Sequence, residues 1–195
     1  MNNVFKFLAP LSFLWFSCAW TNSHDGSMAY SVWNNDFEGV ESYIRYRGVN
    51  CRDSHYFTPL YYAARYNKTK MAQFLIEHKA DPNLRALNDT PFEISVHYKN
   101  LAVAKLLMKH GANIMSARGH GETLLHEAAR DNYDDPADTL LKLKPDLIDI
   151  KDDFGKTPLD IAIKSRSKKV VSLLRARMKL DRLVGHCADS MDLFV

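Results

Sequence analysis

Apolar positions along this chain come in blocks, kept in step by a short phrase that returns at nearly constant spacing. The phrase is Thr58-Pro59-Leu60, Thr90-Pro91-Phe92, Thr123-Leu124-Leu125-His126 and Thr157-Pro158-Leu159, with steps of 32, 33 and 34 residues between the threonines. Five and six residues beyond each threonine stand small or β-branched residues: Ala63-Ala64, Ser95-Val96, Ala128-Ala129 and Ala162-Ile163. Such residues let two helices approach closely. About sixteen residues beyond the threonine comes an apolar run, Phe74-Leu75-Ile76, Leu106-Leu107-Met108, Leu140-Leu141 or Leu173-Leu174. These runs predict the buried faces of second helices. Polar turns separate the two helices at Asn67-Lys68, Lys99-Asn100 and 165–168, while the acidic turn 131–135 reads as one residue longer. Gly48, 79–83, Gly111-Ala112-Asn113 and Pro145-Asp146 stop the second helices. A period of this size predicts stacked helix pairs, which expose a long surface and no obvious pocket.

The ordered positions resemble the ankyrin repeat. The family phrase of aspartate, glycine, Thr-Pro-Leu-His and paired alanines is approached most closely by Asp152-Asp153-Phe154-Gly155-Lys156-Thr157-Pro158-Leu159, while Gly121 and His126 keep it in the preceding copy. There are departures. Asn88 and Tyr56 stand where glycine is usual, Leu124 replaces the proline, and Tyr61, Glu93 and Asp160 replace the histidine. The resemblance implies an all-α ankyrin-repeat solenoid of helix-turn-helix units joined by β-hairpin-like finger loops. It divides residues 27–180 at about 27–53, 54–86, 87–119, 120–153 and 154–180, and leaves 181–195 as a tail. The first repeat is degenerate, with helices expected near 27–34 and 38–47.

In that family the concave surface is built from finger tips and first-helix ends, so the register names the partner-binding residues. They are His55, Phe57, Arg65, Tyr66, Leu87, His97, Tyr98, His120, Arg130, Asp131, Phe154 and Lys156, with Asp89, Glu122, Lys164 and Ser165 at the remaining equivalent positions. Phe57, Tyr66, Tyr98 and Phe154, with arginine beside them, have the composition of interface hot spots. Arg52, Arg85, Arg118 and Lys151 add a basic ladder along the fingers.

The beginning of the chain differs from the repeats. One positive charge in residues 1–6, an apolar stretch 7–16 and the small residues Ser17-Cys18-Ala19 read as a signal segment over 1–19, followed by a linker over 20–26. The stretch is too short to span a bilayer, which needs roughly twenty residues. Cleavage after Ala19 and lipid attachment at Cys18 both remain open. The expected location is therefore exported, either periplasmic or envelope-anchored in a Gram-negative bacterium. Cys51 and Cys187 then remain, and no intramolecular disulfide is expected between them. Opposite ends of the stack lie roughly 30–40 Å apart and the tail reaches about 25 Å.

Composition and charge narrow the chemistry. With 46% hydrophobic and 25% charged residues and a net charge of +3, the chain is ordinary in content and no nucleic-acid partner is called for. It lacks a glycine-rich phosphate loop, H-E-x-x-H, C-x-x-C and G-x-S-x-G, so no catalytic residue and no cofactor is assigned. His120, Glu122 and His126 could be drawn around a metal, but the repeat phrase accounts for His126, and no metal is assigned. His78 and His110 suit helix C-termini. The acidic turn with Asp138 matches no calcium loop. Basic residues crowd the last repeat at Lys164, Arg166, Lys168, Lys169, Arg175, Arg177, Lys179 and Arg182, either as a solvated cap or as a contact to membrane headgroups. The sequence thus points to a non-catalytic protein-protein interaction module, a monomer when free, acting in the bacterial envelope. Neutralising a toxin as an immunity protein, protecting or scaffolding a periplasmic enzyme, and acting as an effector inside a host cell are the alternatives it leaves.

Overall fold

A computed structural model describes residues 25–87, 89–115 and 119–191, with side chains inside 28–180. The signal segment 1–19 with Cys18, the linker up to residue 24, Asn88, Arg118 and residues 192–195 lie outside them, as do the side chains of Arg182 and Cys187. Cys51 is a free, half-buried thiol.

Ten α-helices in five consecutive pairs fill the described residues. The first helices are α1 (Asp25–Asn34), α3 (Pro59–Arg65), α5 (Pro91–His97), α7 (Leu124–Asp131) and α9 (Pro158–Lys164). Their partners are α2 (Phe37–Arg47), α4 (Thr69–Glu77), α6 (Leu101–Lys109), α8 (Asp134–Leu143) and α10 (Lys168–Met191). The finger loops are barely β-like: among the described residues their pairing is limited to single bridges, Ala86 with Asp89 and Met115 with Thr123.

Each phrase threonine stands immediately before its helix, in extended conformation, as the N-cap. Proline follows at the first helical position in α3, α5 and α9, where its missing N–H costs nothing. The small residues behind it are buried, so neighbouring first helices close on one another: α3 packs on α1 and α5, and α9 packs on α7. Ile163 is the exception at 50% exposed, because no helix pair follows it among the described residues. Second helices contribute Leu75, Leu107, Leu140 and Leu174 to the same core, and Phe92 is its largest fully buried side chain.

Between first and second helices the chain turns through one left-handed residue: Asn35, Asn67, Lys99, Asn132 and Arg166, with φ of 56° to 59°. In the four anchored repeats this residue lies nine beyond the threonine, and the second helix starts two residues later. The turn 131–135 is therefore not longer than the others, contrary to the expectation from sequence. Pro136 falls at the third position of α8 and not the first. The additional residue is absorbed at the end of α8, which has ten residues where α4 and α6 have nine. There Lys144 is extended, at φ −146°, where Lys79 and Gly111 are left-handed, and a 3-10 helix over Pro145–Asp149 leads into the last finger. Proline supplies the reason, since its ring disfavours a helical conformation in the residue before it.

The stack is offset once. α5 meets the fourth pair chiefly through α8 and not through α7. At two other junctions the residue immediately before the second helix crosses to the previous repeat with its side chain: Asn100 donates to the Ala64 and Arg65 carbonyls at 2.8 and 3.0 Å, and Ser167 to the Arg130 carbonyl at 3.3 Å. At the offset junction the equivalent residue is Tyr133, which makes an edge contact with His97 at 6.5 Å, beside a 2.8 Å ion pair between Lys99 and Asp135. A second difference lies at the far end. α10 continues through 181–191, inside the segment read as a tail. No proline interrupts that stretch. No helix among the described residues is long and apolar enough to cross a membrane.

Candidate functional site

In three of the four anchored repeats the start of the first helix is fixed by the side chain three residues past the threonine. Glu93 accepts from the Thr90 N–H at 2.6 Å and Asp160 from the Thr157 N–H at 2.9 Å, so a carboxylate completes the capping box in place of histidine. His126 performs the same function and one more. Its Nδ1 accepts from the Thr123 N–H at 3.1 Å, and its Nε2 donates to the Lys156 carbonyl at 3.0 Å, in the next finger. It is fully buried. That geometry removes it from any metal set, and among the described residues no group of three or more His, Cys, Asp or Glu side chains could hold an ion.

Two fingers are shaped from inside by an aspartate. Asp53 Oδ1 accepts the N–H groups of His55 and Phe57 at 2.9 and 3.0 Å, and its Oδ2 the Tyr62 hydroxyl at 2.6 Å. Burial, together with that bond, pushes the Tyr62 phenol well above its usual range. Asp152 repeats the pattern with Phe154 and Lys156. Tyr56 takes a left-handed φ of 64° where Gly155 has 73°, so this fold tolerates a bulky residue at the exposed finger tip. Gly121 is different. Its φ is 68°, and an added Cβ would lie 3.1 Å from the Asp153 backbone nitrogen.

The left-handed turn residue gives a register that also reaches the first pair, which has no threonine phrase. Two positions before it stand Trp33, Arg65, His97, Arg130 and Lys164, and one position before it Asn34, Tyr66, Tyr98, Asp131 and Ser165. These residues form one end of the first helices. Tyr98 is 46% exposed, with the Arg65 guanidinium 5.5 Å above its ring and His97 edge-on at 5.4 Å. Tyr133, 53% exposed, extends this run from the fourth pair. Tyr66 and Phe57 are less available: Tyr66 is stacked on Tyr62 at 5.9 Å and Phe57 on Tyr61 at 4.5 Å, both half-buried against the core. His55, Leu87, His120, Phe154 and Lys156 are exposed along the fingers, and His120 lies 5.6 Å from Phe154.

Sequence reasoning missed Trp33, Tyr30 and Tyr133. Tyr30 and Trp33 are 64% and 56% exposed, three residues apart on one side of α1. The pair Asn34-Asn35 ahead of the capping Asp36 was the available signal.

Arg130 is held by Glu122, which receives both guanidinium nitrogens, one of them at 2.8 Å. The bond from Arg130 holds the buried Glu122 carboxyl below its usual range, although desolvation acts against it. A lowered folded-state pKa gives stability that is present above the unfolded value, near 4.3, and is lost as pH falls through the folded one. Urea unfolding from pH 7 to pH 3 therefore shows the wild type losing stability on acidification more steeply than Glu122→Gln, with the gap between them closing at low pH. Glu93 behaves in the opposite sense, since burial raises its carboxyl despite Thr90 and Arg85. Three acidic residues of the 131–138 segment are likewise tied to lysines, Asp134 to Lys169 at 3.6 Å, Asp135 to Lys99 and Asp138 to Lys142. These pairs explain the segment's charge without a cation.

Helix pairs with this register and capping have a counterpart among known families. Residues 28–118 match the family model of ankyrin repeats, in three copies. This stretch is a run of ankyrin repeats. The chain is 34% identical over 124 residues to an ankyrin repeat protein of fowlpox virus, covering 60% of this chain and 36% of that protein. It is 30% identical over 133 residues to mouse inversin, covering 63% of this chain and 12% of inversin, and 33% identical over 97 residues to alpha-latrotoxin-Lg1a of Latrodectus geometricus, covering 48% and 7%. The chain thus spans about a third of the viral relative and a smaller part of the others. Ankyrin repeats are interaction modules for other proteins, and the match stops short of the fourth and fifth helix pairs, which repeat the same caps and turns.

Proposed function

We propose that this protein acts without catalysis, as a monomer that grips one partner protein on the face formed by its first-helix ends and finger tips. The observation that supports the reading is the recurrence of aromatic and basic residues at one register position in successive repeats, exposed at Trp33, His97 and Lys164 and partly buried at Arg65 and Arg130, with the core packed behind them. Aromatic rings beside arginine bury large area at low entropic cost, which is how hot spots arise. Tyr98, His97 and Phe154 carry the proposal better than Phe57, Tyr66 or Arg130, whose side chains are already engaged.

Export belongs to the same proposal and rests on residues 1–19 alone; the relatives named above are viral and animal and add nothing to it. A diacylglyceryl mass on the mature N-terminus would establish a lipid anchor at Cys18, and an N-terminus at Trp20 would establish soluble cleavage. Toxin neutralisation, protection of an envelope enzyme and action in a host cell differ in what binds. Co-purification with the full chain separates them. Replacing Tyr98 and His97 together by alanine is expected to weaken the recovered complex by more than tenfold while leaving helix content unchanged. An undiminished complex would remove this face from consideration.

A further inference from the structure

The first-helix face changes composition along its length, and the change indicates the chemistry of the partner. In the first three pairs its rows read Trp33, Arg65, His97 and Asn34, Tyr66, Tyr98, with Tyr30 one turn earlier on α1. In the last two they read Arg130, Lys164 and Asp131, Ser165. Aromatic side chains at these two register positions are thus confined to the first three pairs, with Tyr133 adjoining them from the fourth. α1 has no charged residue from Met28 to Asn34, so Tyr30 and Trp33 offer area without charge.

Four carboxylates of this stretch accept its own backbone N–H groups, Asp81 among them, while Glu38 and Glu77 are exposed and Glu41 pairs with Arg45. Asp36 caps α2, Asp53 holds its finger, and Glu93 bonds Thr90 and lies 3.4 Å from Arg85. Asp89 adds one carboxylate near Tyr61. Arg65 has no ion-pair partner among the described residues and spreads over the Tyr98 ring, while His97 is exposed between Tyr98 and Tyr133 and His55 is exposed with its Nδ1 3.9 Å from Asp53 Oδ2. Asp53 is buried and Glu93 is bonded at its own cap while Arg65 has no ion-pair partner, so the field at this face favours an approaching carboxylate.

We propose that the partner presents an acidic segment with interspersed apolar side chains, and that this segment seats on the first three helix pairs with Tyr30, Trp33, Arg65 and Tyr98 as anchors. The inference rests on the first-helix face being the binding face. A binding segment of this kind loses affinity as salt rises, because part of its attraction is between exposed charges.

The test uses the full chain and a phage-displayed library of short random peptides, followed by fluorescence anisotropy with the labelled consensus peptide. The expected consensus is rich in Asp and Glu with Leu or aromatic residues, binds more weakly at high salt, and loses affinity roughly thirtyfold with Trp33→Ala or Arg65→Glu. Tyr46→Ala, on the second helix α2 and off this face, leaves it nearly unchanged. Trp33→Leu and Arg65→Gln, which keep bulk at those sites, replace any variant that loses helicity by circular dichroism. A basic or uncharged consensus, or no enrichment, overturns the proposal. So does binding lost through Phe154→Ala and Lys164→Ala instead, an outcome that keeps the broader face reading. Binding indifferent to both pairs of substitutions overturns the face reading as well.

Discussion

Phe92→Ala lowers the free energy of unfolding by about 3–5 kcal/mol. Phe92 is the largest fully buried side chain in the core and sits at the second position of α5, which packs on α3 before it and on its own partner α6. Removing the ring deletes dispersion contacts on several elements at once and leaves a cavity that short, capped helices can close only in part. Because each repeat is stabilised by its neighbours, damage in the middle of the array is felt by both halves. A domain of this size is typically stable by about 5–15 kcal/mol, so the loss is a large fraction of the total. Urea unfolding followed by far-UV circular dichroism measures it, with Phe154→Ala as the contrast. Phe154 is 69% exposed at a finger tip, and its replacement shifts stability by no more than about 0.5 kcal/mol. Equal effects at the two phenylalanines would mean that the core is not where the fold places it.

His126→Ala is expected to cost about 3–4 kcal/mol, more than the side chain's size suggests. The imidazole joins the start of α7 to the following finger, and alanine would strand the Thr123 N–H and the Lys156 carbonyl with no replacement partner. His126→Gln separates the two contributions. Glutamine at this helical position can still accept from the cap N–H, as Glu93 does in α5, so it recovers the capping term but is poorly placed to span the gap to Lys156. The alanine variant should therefore be the less stable of the two by about 1 kcal/mol or more in urea unfolding. Faster amide exchange confined to the last finger should accompany it. If alanine costs under about 1 kcal/mol, the cross-finger bond is not holding the last repeat.

The repeat itself was legible because its signals are local and redundant. A threonine cap, proline at the first helical position and paired small residues each constrain the backbone separately, and they agree in three places, with Leu124 in place of the proline in the remaining one. The inter-helix turn was misread because its length was judged from composition. Asp131 to Asp135 and Pro136 look like an expanded loop, yet the turn needs only one left-handed residue, and the fold accepts Lys99 and Arg166 there as readily as Asn67. What sets the longer spacing is Pro145 acting on Lys144, a constraint visible in the sequence only once the end of α8 is known. Trp33 and Tyr30 escaped notice because the ruler was tied to threonines and the first pair has none. Phe57 and Tyr66 were overvalued for a different reason. Their register is as expected, but stacking on Tyr61 and Tyr62 is a tertiary outcome that spacing does not carry.

The same limit applies to charge. Arg130 and Glu122 stand eight residues apart, on either side of the Thr123 cap, and only the fold shows that they neutralise each other. The candidate face is accordingly smaller and more aromatic than the list read from the sequence, and it lies nearer the first pair.

The most direct test of the account is site-specific photo-crosslinking, with a benzophenone amino acid placed at Tyr98 in one variant and at Tyr46 in another. Tyr46 lies on the second helix α2 and is 88% exposed, against 46% for Tyr98, so accessibility alone favours it. Binding through the first-helix face predicts that the partner is captured from Tyr98 and not from Tyr46. Capture from Tyr46 with none from Tyr98 would contradict it.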